Sequence, residues 1–153
     1  MSGFIGQANT EPFILSNDGF FPDIDAEALR ASVRLNGDVS DLRLETSIIN
    51  AMLSTNRELA SRKANWQAAG HDTLAEVDPS EIGGKNGLEQ IYTRAIQALV
   101  AAELAERYRS FDATNSATRQ ADDLRPTADD YRRDHRHAVR DLLGIAHATV
   151  ELI

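Results

Sequence analysis

Histidines and neighbouring acids are the side chains of this sequence that could bind a metal ion or transfer a proton. His135 and His137 are two residues apart in a predicted helix, which turns their rings about 200° from each other and prevents them from sharing one metal ion. His71-Asp72 is a pair that metal-dependent hydrolases can use, but it follows a helix-ending glycine and lacks further ligands at helical spacing. We therefore predict no metal centre. We interpret His135 as a packed histidine, because it shares a helix face with apolar residues.

A phosphate-binding loop would have to come from the stretch Gly83-Gly84-Lys85-Asn86-Gly87. The Walker pattern requires Gly where Pro79 stands and Ser or Thr where Asn86 stands, so we interpret the stretch as a turn before a helix. The sequence contains no G-x-S-x-G motif and no cysteine, which excludes that type of serine nucleophile, thiol catalysis, disulfides and cysteine-ligated metals. These residues predict neither an enzyme nor a cofactor.

The composition is that of a single globular domain. The chain has 153 residues, of which 42% are hydrophobic and 26% charged, with a net charge of −8. This net charge argues against a general nucleic-acid binder. The excess acid lies in the segments 1–30, 70–87 and 110–130, outside the predicted helices 40–69, 88–109 and 127–143 for the most part. No apolar run is long enough for a membrane span, and the first residues do not resemble a signal peptide, so we expect no membrane association.

Helical periodicity covers most of the chain. Apolar residues recur at helical spacing between capping signals in four segments, 24–35, 40–69, 88–109 and 127–143. The third segment is apolar on several sides and must be covered by the others. The predicted fold class is therefore all-α, a small bundle of four helices around the central helix 88–109, with Leu99 in the core.

Several finer expectations follow from the same periodicity. We expect an extended N-terminal arm over 1–19, a helical domain over 20–146 and a C-terminal tail over 147–153. Segment 70–87 is predicted to be a long loop with one helical turn at Pro79-Ser80-Glu81. Asp23 or Asp25, Ser40 or Asp38, and Thr127 are the predicted N-caps. The second helix is expected to bury one apolar stripe, formed by Leu42, Ile49, Met52, Leu53, Leu59, Ala60 and Trp66.

Arginines recur on the last predicted helix, which we call the Arg face: Arg132, Arg133, Arg136 and Arg140. This surface is either solvated and paired with acids of its own helix or a docking surface for an acidic surface of another copy. The second interpretation pairs it with acids of the 70–87 loop, which we call the acidic segment: Asp72, Glu76, Asp78 and Glu81.

The end of the chain is rich in strand-forming residues, Thr149-Val150-Glu151-Leu152-Ile153, but the chain offers no predicted strand to pair with them. We expect this tail to add to the sheet edge of another protein. Alternatively, it packs on its own bundle through Leu152 and Ile153. The N-terminal arm is a rival anchor because it also carries apolar residues, Phe4, Ile5, Phe13, Ile14 and Leu15.

Short segments occur in a fixed order over residues 20–143. They are Phe20-Phe21-Pro22-Asp23-Ile24-Asp25, Thr55-Asn56-Arg57-Glu58-Leu59, Ala69-Gly70, Leu74-Ala75-Glu76-Val77, Tyr92-Thr93-Arg94-Ala95, Glu106-Arg107-Tyr108-Arg109-Ser110-Phe111-Asp112-Ala113, and Tyr131-Arg132-Arg133-Asp134 with Ala138-Val139. None of these segments has a chemical signature, but their number and order make the sequence similar to the head completion proteins of contractile-tailed bacteriophages.

The resemblance implies a structural virion protein of the head-tail neck, assembled in the host cytoplasm. It implies an adaptor that forms a ring of about twelve copies under the portal protein after DNA packaging, closes the filled head and presents a surface to the neck and tail completion protein. Duplex DNA would pass through the lumen without sequence-specific binding, and the tail 149–153 would bind the portal. The alternative from composition alone is a soluble helical module that regulates or binds a partner.

Overall fold

The computed structural model describes residues 12–33, 39–112 and 126–145, which are mainly α-helical, as expected. Six helices occur in these ranges rather than four. They are α1 (Ala26–Val33), α2 (Asp41–Glu58), α3 (Ala60–Ala68), α4 (Leu74–Val77), α5 (Gly87–Asp112) and α6 (Ala128–Leu143). Two short antiparallel pairs accompany them, β1 (Ile14–Leu15) with β2 (Ile24–Asp25), and β3 (Glu81–Ile82) with β4 (Lys85–Asn86). None of the described helices is both long and apolar enough to cross a bilayer.

Helix α5 is the centre of the fold. It contacts α1, α2, α4, α6 and β4, and it pairs with α6 in the antiparallel sense, since Arg94 bonds Asp141 at 2.7 Å and Arg132 bonds Glu106 at 2.5 Å. Its fully buried side chains are Tyr92, Ala95, Ile96 and Val100. Leu99, expected in the core, is half-buried at its rim. The central position of this helix is confirmed. The prediction that Leu99 is a central core residue is wrong, because Leu99 is only partly buried.

The expectation of one helix over 40–69 is wrong at Leu59. This residue has φ −91° and ψ 0°, so α2 ends before it and α3 begins after it. Helical hydrogen bonds continue on both sides, from Leu59 N to Thr55 O at 3.0 Å and from Lys63 N to Leu59 O at 2.8 Å. Periodicity cannot detect so local a break. The Leu59 side chain is completely buried at this break.

The predicted buried stripe of the second helix is also wrong in part. Leu42, Ile49 and Leu53 are exposed by 72%, 39% and 62%, and Ala60 is exposed as well. The row that packs on the rest of the fold is Leu44, Ile48, Ala51 and Thr55, joined by Met52. Both rows have helical spacing, and the sequence does not say which of them meets α5.

The start of the first predicted helix is an extended segment instead. Ile24 and Asp25 pair with Leu15 and Ile14, and α1 begins at Ala26, whose backbone N–H donates to Phe13 O at 2.8 Å. Asp25 caps α1 by accepting from Ala28 N at 2.9 Å, as one of the two predicted caps. Its predicted end at 35 lies outside the described residues.

The segment 70–87 has more structure than a loop. The helical turn lies at Leu74–Val77 and not at Pro79-Ser80-Glu81, because the Leu74 side chain is fully buried and its N–H donates to Phe20 O at 2.9 Å. After it comes the β3–β4 hairpin, whose tip is formed by Gly83 and Gly84 at φ 64° and 75°. Positive φ at both positions is what a type I′ two-residue hairpin turn requires.

The last helix is closely predicted. Thr127 forms a capping box, in which its hydroxyl accepts from Asp130 N at 3.2 Å and Asp130 Oδ2 accepts from Thr127 N at 2.9 Å. Gly144 ends the helix at φ 71°. At the second helix, Ser40 is the N-cap residue, but its side chain makes no capping hydrogen bond.

Candidate interaction surfaces

An aromatic cluster joins the N-terminal segment to α3 and α5. Phe21 stacks on Tyr92 with ring centroids 4.7 Å apart, Phe20 stacks on Trp66 at 6.1 Å, and the two phenylalanines meet edge to face at 5.2 Å. The ammonium group of Lys63 lies 5.6 Å from the Phe20 ring and 5.8 Å from the Phe21 ring. Because these four rings come from three separate parts of the chain, their packing fixes how those parts meet.

A polar network lies beside the aromatic cluster. Asn17 Nδ2 donates to the Tyr92 hydroxyl at 2.9 Å, that hydroxyl donates to Asn56 Oδ1 at 2.6 Å, and Asn56 Nδ2 donates to Asn17 Oδ1 at 2.8 Å. The three side chains therefore close a ring of hydrogen bonds. Burial raises the pKa of Tyr92 well above its ordinary value, so the phenol stays protonated and keeps its donor.

Asp18 ties the same corner together. Its Oδ1 accepts from the backbone N–H groups of Phe20 and Phe21 at 3.0 Å, and its Oδ2 accepts from Lys63 Nζ at 2.7 Å. Partial burial of the carboxyl favours its neutral form, but these hydrogen bonds and the Lys63 charge outweigh burial and hold the pKa of Asp18 below its ordinary value of 3.8.

His135 is a packed histidine, as predicted. It is 5% exposed, its Nδ1 lies 3.0 Å from the backbone oxygen of Ala95, and its Nε2 lies 3.1 Å from Glu58 Oε1. The ring thus links α6 to both α5 and α2. Within the described residues, no group of three His, Asp or Glu side chains is placed to hold a metal ion.

These contacts give several of the short segments named in the sequence analysis a structural role. Asn17 and Asp18 precede the Phe20-Phe21-Pro22 segment, Asn56 and Glu58 belong to the second segment, and Tyr92 and Ala95 belong to the central one. The structure brings all of them to two adjoining junctions between helices. Their contacts are hydrogen bonds and ring stacking that fix helix positions.

The Arg face is partly engaged within its own chain. Arg132 pairs with Glu106 at 2.5 Å and with Asp129 at 3.3 Å, and the Glu106 carboxylate raises the pKa of Arg132. Arg133 pairs with Asp130 at 3.2 Å. Arg136 is exposed and makes no ion pair with another described residue, whereas Arg140 is half-buried and has a partner. Pairs with acids of α6 itself support the solvated interpretation for Arg132 and Arg133.

The acidic segment is exposed at all four positions, Asp72, Glu76, Asp78 and Glu81. Two of its carboxylates order the local backbone: Glu76 Oε2 accepts from Asp72 N at 2.7 Å, and Asp78 Oδ1 accepts from Ser80 N at 3.0 Å. The Ser80 hydrogen bonds lower the pKa of Asp78. The structure shows no contact between the acidic segment and the Arg face.

An exposed apolar row on α2 is the surface that sequence reasoning missed. Leu42, Ile49 and Leu53 are spaced so that they return to one side of the helix, opposite the row that packs on the core. Arg43 and Arg57 flank this row, and neither makes an ion pair with a described residue. The signal was available, because α2 has more apolar residues than one face can hold.

Some predicted contact residues lie outside the described residues. The tail residues Thr149, Val150, Glu151, Leu152 and Ile153 are among them, as are Phe4 and Ile5 of the N-terminal arm. Of the other arm residues, Phe13 and Leu15 pack against the core cluster, while Ile14 is 45% exposed.

The chain is similar to known proteins over most of its length. The family model of the phage head completion protein (GPL) matches residues 15–153. A head completion/stabilization protein of Escherichia phage P2 is 37% identical over 146 residues, which is 95% of this chain and 86% of that protein. No solved structure matches the chain significantly. The resemblance drawn from the sequence is thereby confirmed, and the chain belongs to the phage head completion protein family, a structural class and not a known class of enzyme.

Proposed function

We propose that this protein completes the phage head after DNA packaging by binding beneath the portal as a ring of about twelve copies. It closes the filled head there and presents the surface to which the neck and tail completion protein attaches. Membership of the head completion family, over nearly the whole chain, is the observation that carries this proposal. Its location is then the virion neck, after assembly in the host cytoplasm.

The charge of the chain suits a channel for duplex DNA. The net charge of the chain is −8. Each contact between a Lys or Arg side chain and a DNA phosphate would strengthen the binding of DNA. A lumen lined mainly by acidic residues makes few such contacts, so duplex DNA can slide through it without sequence-specific binding. This argument supports passage of DNA through the ring.

The test is to delete the gene from its phage and supply the protein from a plasmid. Without the protein, we expect heads that lose packaged DNA to added nuclease and that carry no tails, as seen by electron microscopy. With it, quantitative mass spectrometry of purified particles should count as many copies as portal subunits. Tailed, nuclease-resistant particles that lack the protein would contradict the proposal and favour a helical regulatory module acting in the infected cell.

The tail 149–153 is proposed to anchor the ring to the portal. Its β-branched residues suit strand addition to an edge of another protein. Deleting residues 148–153 should abolish binding to purified portal while leaving the helical circular dichroism signal unchanged. If affinity stays the same in the folded variant, the tail is not the anchor, and the N-terminal arm with Phe4 and Ile5 is the next segment to delete.

The Arg face of one copy is proposed to dock on the acidic segment of the next copy. Exposed ion pairs are individually weak, so we expect them to set orientation more than affinity. Reversing the charge at Arg136 and Arg140 should reduce ring assembly on the portal at low salt. Assembly that is intact at both low and high salt would contradict a role for the Arg face.

A further inference from the structure

Asn86-Gly87, where strand β4 meets α5, is one of two Asn-Gly pairs in this chain, and Asn36-Gly37 is the other. In such a pair the glycine nitrogen can attack the side-chain amide of the asparagine, because glycine has no side chain to hinder the approach. At this site Gly87 N would lose its proton and bond to Asn86 Cγ, while the Cγ–Nδ2 bond breaks and ammonia leaves. Water then opens the resulting succinimide ring to aspartate or isoaspartate. The chemistry of the pair therefore makes Asn86 a candidate site of spontaneous deamidation.

The fold engages both ends of the Asn86 side-chain amide. Its Nδ2 donates to Asp78 O at 2.7 Å and to Ala75 O at 3.3 Å, which uses both of its hydrogens. Its Oδ1 accepts from Glu89 N at 3.1 Å, in the first turn of α5. The Cγ atom cannot turn toward Gly87 N unless these three hydrogen bonds break. The electrophile of the reaction is thus held in place.

The nucleophile is engaged as well. Gly87 N donates to Ser80 O at 3.1 Å, across the base of the β3–β4 hairpin. This nitrogen must lose its proton before it can attack, and a hydrogen bond in the folded state protects an amide proton until the local structure opens. Gly87 is also the first residue of α5, so the helix restricts its backbone. In the folded chain neither reacting group is free.

Gln90 fastens the hairpin to the start of α5. Its Nε2 donates to Ile82 O at 2.8 Å and to Lys85 O at 2.9 Å, on the two strands of the hairpin. Together with the contacts of Asn86 and Gly87, these hydrogen bonds join the hairpin to the helix. Freeing the reacting groups therefore requires the hairpin to separate from α5, which is a local opening and not complete unfolding.

We propose that Asn86-Gly87 is a deamidation site that the folded chain protects and that reacts when the β3–β4 hairpin separates from α5. The product cannot rebuild the contact, because a carboxylate at position 86 has no hydrogen to donate to Asp78 O or Ala75 O and repels both oxygens. It can still accept from Glu89 N, and its charge suits a helix N-terminus. Deamidation thus releases the hairpin while the first turn of α5 remains capped.

The first test measures deamidation of the full-length protein at mildly alkaline pH, in buffer and in guanidinium chloride, by mass spectrometry. Trypsin releases residues 35–43 and 86–94 as separate peptides, so both Asn-Gly pairs are followed in one sample. In denaturant, Asn36 gives the rate of an Asn-Gly pair in the unfolded chain, and Asn86 should match it. In buffer, Asn86 should react at least about tenfold more slowly than in denaturant, because only the open fraction reacts. Equal rates at Asn86 in the two solvents would overturn the proposal.

The second test loosens the hairpin without changing the Asn-Gly pair. Gln90→Ala removes two hydrogen bonds to the hairpin and should raise the rate at Asn86 in buffer by about fivefold or more, while the rate in denaturant stays the same. Gln97→Ala is the matched control, because Gln97 lies on the same helix and its side chain makes no hydrogen bond with a described residue. An unchanged rate in Gln90→Ala, or an equal increase in Gln97→Ala, would contradict gating by the hairpin.

The third test concerns the product, which Asn86→Asp reproduces. Hydrogen exchange should become faster at the Gly87 amide, which bonds to the hairpin, and should stay unchanged at the Glu89 amide, which the carboxylate still caps. Asn86→Ala is the comparison, since it removes the cap as well and should accelerate exchange at both amides. Full protection of the Gly87 amide in Asn86→Asp would show that deamidation does not release the hairpin.

Discussion

Tyr92 donates a 2.6 Å hydrogen bond from its buried hydroxyl to Oδ1 of Asn56, across the contact between α5 and α2. The same hydroxyl accepts from Asn17, so one phenol satisfies polar groups from two other segments. A buried polar group without a partner costs more than a hydrogen bond gains. The tyrosine is therefore essential to this junction for its oxygen as well as for its ring, which stacks on Phe21.

Tyr92→Phe should destabilise the fold by about 1–3 kcal/mol, because Asn17 and Asn56 each lose a partner while the ring stacking is retained. Urea unfolding followed by circular dichroism measures this loss. Tyr131→Phe is the control, since Tyr131 is half-buried and its hydroxyl makes no hydrogen bond with a described residue. Equal stability losses in the two variants would show that the Tyr92 network contributes nothing specific.

Ile96→Ala should cost about 2–5 kcal/mol, because Ile96 is fully buried in α5 and its truncation leaves a cavity. The same substitution at Ile49, 39% exposed on α2, should cost far less. Thermal unfolding of both variants gives the comparison. A loss at Ile49 as large as that at Ile96 would contradict the assignment of the buried row.

Thr127→Ala should destabilise α6 by about 1 kcal/mol, since the substitution removes the hydroxyl of the capping box. Ser40→Ala at the start of α2 should have little effect, because that side chain makes no capping hydrogen bond. Hydrogen exchange at the first turn of each helix, together with global unfolding, separates the two cases. The result expected is faster exchange at α6 alone.

Asp18→Asn should change how stability depends on pH. The folded-state pKa of Asp18 lies below its ordinary value of 3.8, so its contribution is complete above that value and is lost as the pH falls below it. The stability difference between wild type and variant should therefore be largest at neutral pH and should shrink as the solution is acidified below about pH 4.

Urea unfolding across this range measures the effect of Asp18→Asn. Glu45→Gln is the control, because the Glu45 carboxylate has no hydrogen bond or ion pair within the described residues. A difference between wild type and Asp18→Asn that is constant with pH would mean that the Lys63 and backbone hydrogen bonds do not depend on the ionised carboxylate.

The helices were predictable because caps and periodicity act locally. Thr127 and Gly144 determine the ends of α6 through their own hydrogen bonds and backbone angles, and both are visible in the sequence. The break at Leu59 was not predictable, because the helical hydrogen bonds continue on both sides of it and the apolar periodicity does not change there. Periodicity also could not decide whether the side of α2 that carries Leu44 or the side that carries Leu42 faces the core.

The candidate surfaces show a similar division. His135 could be recognised as packed from the apolar residues that share its helix face, but its partners Glu58 and Ala95 are 77 and 40 residues away. The charges of the Arg face could be read from the sequence. The ion pair between Arg132 and Glu106 could not, because it depends on the packing of α6 against α5. Sequence gives the residue types of a surface, and the fold decides which of them are free.

The hydrogen bonds of Asn17 also impose an order on synthesis. Its partners Asn56 and Tyr92 lie 39 and 75 residues further along the chain, so the N-terminal segment leaves the ribosome before either partner exists. Phe21 in turn has no ring to stack on until Tyr92 has emerged. During translation the Phe20-Phe21 pair is therefore an exposed apolar segment, open to chaperones and to aggregation, until more than half of the protein has been made.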